Sequence, residues 1–209
     1  MKVTLLSHTT SIRADMPPSP EGLIEFAGRL CWNSKIKDQI SPDFIKRRIE
    51  EGHESIIEHA SASFLVEGIS RSCSHQLVRH RLISVSQCSQ RYIDGSKFDF
   101  VVPPDIENNE EATTIYHECL AHIRAAYERL RNKGIKKEDA RFLLPNATTT
   151  SLVISANLRE WRHIIIERGL NPHAQWEIRQ LALLFLAELS KIFPAVFADL
   201  AEKVNVRTV

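Results

Sequence analysis

The sequence predicts an α+β fold, with one domain spanning residues 1–209 in which helices flank a small, mostly antiparallel sheet. Apolar residues recur at helical spacing in several long stretches. Short stretches of alternating or β-branched residues lie between them, and prolines and glycines mark the ends of both kinds of segment. A chain of 209 residues that is 43% hydrophobic is long enough to bury a sizeable core.

Three segments are predicted to be strands. Residues 1–8 are too short and too polar for a signal peptide. They are expected to form an edge strand. Every second side chain of residues 60–67 is small or apolar, and residues 148–155 are rich in β-branched side chains. Residues 83–93 are polar and β-leaning, which predicts an extended segment or a loop.

Capping signals and helical periodicity predict at least five helices. Leu30 and Ile115 are assigned to the apolar stripes of the first helix and of the long central one. The last helix is apolar over more than one stripe, which predicts burial on two sides, for example in a subunit interface. The predicted helices begin near Pro20 and Pro42, run from Ser70 to about Arg79, follow Pro103-Pro104 as far as Gly134, precede Pro145, run from Asn157 to Gly169, and run from Ala174 to Phe193.

Positive charge is concentrated between Glu67 and Asp94, where the chain has no carboxylate. The cations of this stretch are all arginines, whereas the whole chain has a formal net charge of only +1. Such segregation indicates a site for phosphate, carboxylate or nucleic acid, and arginine favours forked recognition of oxyanions. The alternative is that cations in the last turn of a helix complement its dipole. The arginines are Arg71, Arg79, Arg81 and Arg91.

A second candidate lies on the helix that follows Asn157. One face of this helix carries an apolar stripe that Arg168 ends. The residues of the stripe, at helical spacing, are Trp161, Ile164 and Ile165. One interpretation is a partly desolvated guanidinium aimed at a ligand. The other is an arginine whose stem packs while its head reaches water.

Other functional classes receive less support from the sequence. The spacing His53-Glu54…Glu58-His59 matches neither zincin pattern, so no metal site is predicted. Cys88 could be a nucleophile, but a lone cysteine is more often a small apolar filler. The four cysteines lack Cys-x-x-Cys spacing, which fits reduced thiols and a cytoplasmic location. Neither a membrane span nor a general nucleic-acid binder is predicted.

Taken together, these segments resemble the flavin-dependent thymidylate synthases. The family hallmark, Arg-His-Arg followed after seven residues by Ser, is matched by Arg79-His80-Arg81 and Ser89. Ser86 and Gln87 depart from the commonest form of the motif, which has Asn and Glu there. The resemblance spans most of the chain and also covers residues 52–55, Gln76, Arg141, Asn157-x-Arg159-x-x-x-His163, Arg168 and residues 173–179.

The resemblance implies an activity, its cofactor and co-substrates, and an assembly. It implies a methyltransferase that converts dUMP to dTMP, with methylenetetrahydrofolate as one-carbon donor and FAD reduced by NADPH as hydride source. It also implies a homotetramer with shared active sites and no nucleic-acid partner. All these ligands are anionic, which accounts for the arginines in physical terms.

The resemblance also implies contacts, residue by residue. Arg168 would be catalytic, stabilising the uracil ring as its imide loses a proton. The dUMP site would comprise Gln76, Leu77, Val78, Arg79, Gln87, Cys88, Ser89, Gln90, Arg91, Arg141 and Arg168. The FAD site would comprise Ser55, Arg79, His80, Arg81, Gln87, Asn157, Leu158, Arg159 and His163.

Two alternative functions are weighed against this one. An Arg/Ser-rich RNA-binding module could use residues 70–92, but that stretch has a single aromatic residue, Tyr92, for stacking on bases. A nucleotide-dependent flavin oxidoreductase with another substrate is the second alternative. A visible spectrum tests the first alternative, and an assay for dTMP tests the second.

Overall fold

The computed structural model describes residues 1–12, 19–35 and 39–207, and the side chains as far as residue 204. The predicted domain of residues 1–209 therefore includes positions 13–18, 36–38 and 208–209, which lie outside the described residues. The strands in the described ranges are β1 (Lys2–His8), β2 (Ser61–Ser70), β3 (Ile83–Gln87) and β4 (Thr149–Asn157).

These strands form one antiparallel sheet in the order β1-β2-β4-β3. The predicted α+β class is confirmed, and β1 lies at the edge of the sheet as expected. The alternation predicted for β2 is also confirmed, since Ala62, Phe64 and Val66 are buried while Ser63 and Leu65 are half-buried.

Helices account for most of the remaining described residues, and their positions follow the capping signals closely. Ser41 and Pro42 begin one of them as predicted, and Ser70 caps another by accepting a hydrogen bond from the Cys73 amide. The α-helices are α1 (Gly22–Cys31), α2 (Pro42–Glu50), α3 (Arg71–Leu77), α4 (Pro104–Glu107), α5 (Glu110–Asn132), α6 (Lys137–Ala140), α7 (Leu158–Ile164), α8 (Trp176–Ile192) and α9 (Pro194–Arg207).

Tighter and wider helical turns complete the described secondary structure. The 3₁₀ turns are Glu54–His59, Gly95–Lys97 and Arg141–Leu143. A π-helical segment, Ile165–Leu170, continues α7. By the density of its internal contacts the chain divides into two compact units, and the division falls inside each of the strands β1 to β4. Unit 1 comprises residues 1–2, 66–77 and 86–152, and unit 2 comprises residues 3–65, 78–85 and 153–209.

Unit 1 is organised around Tyr127 on α5. Its ring is fully buried, and its hydroxyl accepts a hydrogen bond of 2.9 Å from the Gly95 amide. A Cβ atom at Gly95 would lie 2.9 Å from that ring, so only glycine fits. The stripe predicted for α5 is wrong at Ile115, which is 61% exposed. The buried residues of this helix are Leu120 and Tyr127.

Unit 2 has an aromatic core formed by Phe64, Trp161 and Phe185. Their ring centroids lie 4.7 to 5.2 Å apart in edge-on and tilted arrangements. The Trp161 indole also donates a hydrogen bond to the Ala62 carbonyl, so its polar atom is satisfied in the core. Trp161 is thereby fixed, and with it the helix α7 that carries the candidate site.

The apolar stripe predicted for α1 is wrong at Leu30, which is 68% exposed. The buried face of this helix carries an ion pair instead, with Arg29 donating to Glu25 at 2.6 Å. The second oxygen of Glu25 accepts from the Ser41 amide at the start of α2. A charged pair can be buried here because each of its members has a partner.

The helix α9 was not predicted, and it changes the interpretation of α8. Pro194 does not end the helical region but begins a new helix, whose free amides at Ala195 and Val196 donate to Glu21. The helix α8 packs against both α9 and the π-helical segment. Its wide apolar face is therefore covered in part within the chain itself. In the described ranges, no helix combines the length and apolar character needed to cross a membrane.

Candidate functional site

The arginine triplet lies in a turn rather than in a helix. The helix α3 ends at Leu77, and residues 78–82 form the connection to β3. Arg79 and Arg81 are exposed, whereas His80 between them is 6% exposed. The helix predicted to run to about Arg79 ends two residues earlier, so the triplet directly follows its last turn.

His80 lies among three residues of α7 and the π-helical segment. Its Nε2 atom is 3.1 Å from the Nε of Arg168, and its Nδ1 atom is 3.7 Å from Oε1 of Glu160. The ring of His163 approaches edge-on, with 5.4 Å between centroids. Burial, followed by the positive charge of Arg168 and by His163, lowers the pKa of His80 to about 4. The imidazole is therefore neutral at pH 7.

The local sequence explains how Arg168 reaches this position. Asn157 caps α7 by accepting from the Glu160 amide at 2.9 Å, as predicted. After Ile164 the helix widens to a π-helix, and Gly169 packs closely on Ala182 of α8. Such segments often occur at functional sites because the wider turn changes the direction of the side chains. Arg168 is half-buried, as the interpretation of a partly desolvated guanidinium requires.

Two cavities open around these residues, and the residues of unit 2 alone line them. The first, of about 510 Å³, is lined by Arg79, Arg81 and Arg168, with Glu160 and His163 beside them. The second, of about 600 Å³, shares Glu160 and His163 with the first. Further residues that line the second cavity are Asn157, Arg159, Glu54 and Glu58.

Arg159, predicted to bind flavin, is held by carboxylates. It is exposed, and its guanidinium forms ion pairs with Glu58 and, at 3.4 Å, with Glu54. The Glu58 carboxylate raises the pKa of Arg159 further above its ordinary value. The carboxylates considered above for a metal site thus pair with an arginine. No group of three or more potential metal ligands comes together among the residues that the structure describes.

The remaining predicted flavin residues differ in what they can offer. Ser55 is exposed and borders neither cavity, although its neighbour Glu54 lines the second. Leu158 is fully buried, so only its backbone could reach a ligand. Gln87 lies in unit 1, where its amide nitrogen donates to Ser74 at 2.9 Å and to Thr150 at 3.2 Å.

In unit 1 the predicted dUMP residues Arg91 and Arg141 converge on Glu138. Arg91 donates to the Glu138 carboxylate from two nitrogens at 3.2 Å, and Arg141 donates to its backbone carbonyl at 3.0 Å. The hydroxyl of Ser89 accepts from the Arg91 amide. Three predicted dUMP residues are therefore neighbours, and the fork of Arg91 already binds a carboxylate.

The other predicted dUMP residues surround this cluster in sequence. The side chain of Leu77 is fully buried, that of Val78 is exposed, and Gln76 and Gln90 are half-buried. Cys88 is half-buried, and its backbone is fixed at both ends. Its amide donates to the Ser151 carbonyl, and its own carbonyl accepts from Arg71 at 3.2 Å.

Sequence reasoning missed three residues that organise these clusters. Arg71 belongs to the acid-free stretch but received no role, although it anchors the Cys88 carbonyl. Burial lowers the pKa of Arg71, and the positive charge of Arg141 adds to the effect. Glu160 and Glu138 lie outside the arginine-rich stretch. Only the burial of Glu160 distinguishes it from a surface carboxylate, and no sequence pattern showed that.

Comparison with known proteins places this geometry in a family. Residues 5–195 match the family model for the thymidylate synthase complementing protein. The chain is 40% identical over 228 residues to the flavin-dependent thymidylate synthase of Mycobacterium sp. (strain JLS), which covers 95% of this chain and 89% of that protein. It is 39% identical over 211 residues to that of Geobacter sulfurreducens, with 95% and 86% covered. The chain belongs to the thymidylate synthase complementing protein family.

The resemblance predicted from the motifs is confirmed by this membership. The region matched to the thymidylate synthase complementing protein family begins in β1 and ends in α9, so it contains all the candidate residues from Ser55 to Arg168. Another relative, the flavin-dependent thymidylate synthase of Mycobacterium tuberculosis (strain ATCC 25177 / H37Ra), is 41% identical over 196 residues that cover 85% of this chain and 78% of that protein. The roles of individual residues remain predictions.

Proposed function

We propose that this chain catalyses the reductive methylation of dUMP to dTMP. The one-carbon unit comes from methylenetetrahydrofolate, and FAD reduced by NADPH supplies the hydride. The names of the relatives support the reaction. The observation that carries the proposal is Arg168, a half-buried guanidinium held by the neutral imidazole of His80 beside the cationic turn at residues 79–82.

The donor set of the two cavities fits an anionic dinucleotide such as FAD. Arg79 and Arg81 supply cations to the first cavity, and Arg159 supplies one to the second. His163 borders both cavities and can interact with a planar ring. FAD supplies the hydride chemistry when bound, whereas the protein binds and orients the reactants.

Recognition of dUMP is assigned to arginines in two different roles. Arg91 and Arg141 bind the phosphate, for which Arg91 exchanges the Glu138 carboxylate for a phosphate oxygen. Arg168 stabilises the negative charge that develops on the uracil ring as its imide loses a proton. This raises the electron density at the carbon that receives the one-carbon unit. A preorganised cation of this kind contributes roughly 3 kcal/mol, by comparison with an oxyanion donor.

Assembly and location complete the proposal. A homotetramer with shared active sites accounts for Phe142, which is 83% exposed next to the predicted phosphate ligand Arg141. Light scattering on the flavin-loaded protein tests this, and a stable monomer that binds FAD contradicts it. We also propose a cytoplasmic location, which the scattered cysteines without Cys-x-x-Cys spacing support.

The proposed function is tested on one purified sample in two steps. We expect oxidised-flavin absorption in the visible, either as isolated or after addition of FAD. We then expect dTMP to form from dUMP only when methylenetetrahydrofolate and NADPH are both present. A colourless protein that takes up no FAD contradicts the cofactor assignment. A flavoprotein that oxidises NADPH but forms no dTMP points to an oxidoreductase with another substrate.

A further inference from the structure

The imidazole of His80 lies between two side chains of different chemical type, the guanidinium of Arg168 and the carboxyl group of Glu160. Arg168 approaches its Nε2 atom at 3.1 Å, and Glu160 approaches its Nδ1 atom at 3.7 Å. His80 and Glu160 are each only 6% exposed, so neither is an ordinary surface residue. Core packing alone does not require a carboxyl group and a histidine in contact at this place.

The hydrogen bond to Arg168 determines where the proton of His80 lies. A guanidinium nitrogen can only donate, so Nε2 must be the acceptor of this bond. A neutral imidazole carries one proton, which then lies on Nδ1. Nδ1 is the nitrogen that faces Glu160. At 3.7 Å the interaction is electrostatic rather than a direct hydrogen bond, and it favours a proton on that nitrogen.

The same bond determines which part of Arg168 remains available. The Nε atom is committed to His80, which restricts rotation of the guanidinium plane. The terminal nitrogens Nη1 and Nη2 remain for a ligand, and together they form the edge that binds planar acceptors in pairs. Since the partner of Arg168 is a neutral ring rather than a carboxylate, its positive charge is not compensated by this bond.

We propose that Glu160 and His80 are positioning residues for Arg168, with Glu160 fixing the tautomer of His80 and His80 fixing the plane of the guanidinium. This inference rests on the proposed function, in which Arg168 acts on the uracil ring of dUMP. Positioning matters there because a displacement of about 1 Å can reduce a rate by about a hundredfold. Neither residue needs to contact the nucleotide for this role.

Two substitutions at Glu160 distinguish the contribution of its acceptor oxygen to the rate from the contribution of its side-chain volume. Glu160→Gln keeps an oxygen facing Nδ1, whereas Glu160→Leu has similar bulk and cannot accept. We expect kcat for dTMP formation to fall about tenfold or more in Glu160→Leu and less than about threefold in Glu160→Gln. Flavin content and the Kd of dUMP should stay within about twofold in both.

Matched controls exclude effects of charge and of folding. Glu188→Gln removes a carboxylate from an exposed pair with Lys191 on α8 and should leave kcat unchanged. Near-normal kcat in Glu160→Leu overturns the proposal, as does an equal loss in Glu160→Gln and Glu160→Leu. Should Glu160→Leu not fold, Glu160→Gln and the tautomer of the wild-type protein decide.

The tautomer is measured independently of activity, by NMR of protein labelled with ¹⁵N in its histidine rings. His80→Gln identifies the signals of His80 by their loss. We expect Nδ1 to carry the proton at pH 7.5 and Nε2 to have the shift of an unprotonated acceptor. Protonation on Nε2 instead overturns the proposal. If the wild-type protein forms no dTMP, the proposed function fails, while this measurement still shows whether the Glu160–His80–Arg168 array exists.

Discussion

Two arginines of unit 2 have opposite electrostatic surroundings. Arg159 lies on α7, and Arg168 lies on the π-helical segment that continues it. Arg168 is half-buried, and its identified partner is the neutral imidazole of His80. Arg159 is exposed and paired with the carboxylates of Glu54 and Glu58. The first cation keeps its charge for a ligand. The second must exchange existing ion pairs for new ones, which reduces the net gain from binding.

In unit 1, Arg91 resembles Arg159 because it too is paired with a carboxylate. The exposed Arg91 is bound to the Glu138 carboxylate, which is an oxyanion like the phosphate that we propose Arg91 binds. An arginine satisfied in this way suits reversible binding, whereas an arginine held by a neutral group suits stabilisation of a charge that develops during a reaction. The predictions below test this difference, beginning with the largest expected effect.

Arg168→Ala should lower the rate of dTMP formation about a hundredfold and leave FAD bound, because roughly 3 kcal/mol of stabilisation of the developing anion is lost. Arg168→Lys should recover little of this activity, since a point charge does not reproduce the fork. Steady-state dTMP formation and flavin absorbance are measured on the same samples.

Lys191→Ala, which removes an exposed cation from α8, is the control for Arg168 and should behave as wild type. Near-normal turnover in Arg168→Ala would mean that this arginine only ends a helix. The expected cost would then be below about 1 kcal/mol of stability, with no effect on the reaction.

The second prediction concerns acid. The pKa of His80 is lowered from 6.5 to about 4 by burial, Arg168 and His163, so the unfolded chain binds a proton more readily than the folded one. Stability due to the neutral ring is present above pH 6.5 and is lost as the pH falls toward 4. Between pH 8 and pH 5 this loss amounts to about 2 kcal/mol.

Urea unfolding at one fixed protein concentration measures this loss as the difference between the wild-type protein and His80→Gln. Glu160 has a raised pKa through burial and acts in the opposite direction, but it is present in both proteins, and since both keep burial and His163 as the causes of its shift, most of its contribution cancels. Parallel stability curves for the two proteins would show that His80 is not held neutral by its surroundings.

The third prediction concerns the carboxylates around Arg159. Glu58→Gln should tighten FAD binding by up to about threefold at low salt, because it frees the guanidinium from an exposed ion pair worth less than about 1 kcal/mol. Quenching of flavin fluorescence gives the Kd, and the difference should diminish at high salt. Weaker binding in Glu58→Gln would instead mean that this carboxylate holds Arg159 in the orientation that binds flavin.

The smallest effect is expected at the thiol. Cys88→Ala should retain dTMP formation within about twofold, since the backbone of Cys88, and not its sulfur, is anchored by Ser151 and Arg71. Loss of turnover with FAD and dUMP binding intact would make Cys88 a nucleophile and would reduce the role assigned to Arg168.

Local patterns predicted much of the fold correctly. The alternation of residues 60–67, the Ser41-Pro42 start of α2 and the Asn157 cap of α7 all occur as expected, because each depends on neighbouring residues alone. The prediction was wrong for the buried face of α1, where the Glu25–Arg29 pair replaces Leu30. The spacing of apolar residues cannot predict that a charged pair is buried. Burial of this pair depends on a partner from another part of the chain, the Ser41 amide.

The candidate site shows the same division. The sequence by itself determined the α+β class, the family, and the concentration of arginines that marks an anion site. Only the tertiary structure decided that Arg168 meets a neutral histidine, that Arg159 meets two carboxylates, and that α9 covers part of α8. The residue types and their spacing are local properties of the chain. The charge that an arginine keeps depends on which groups the fold brings against it, and those groups come from distant parts of the sequence.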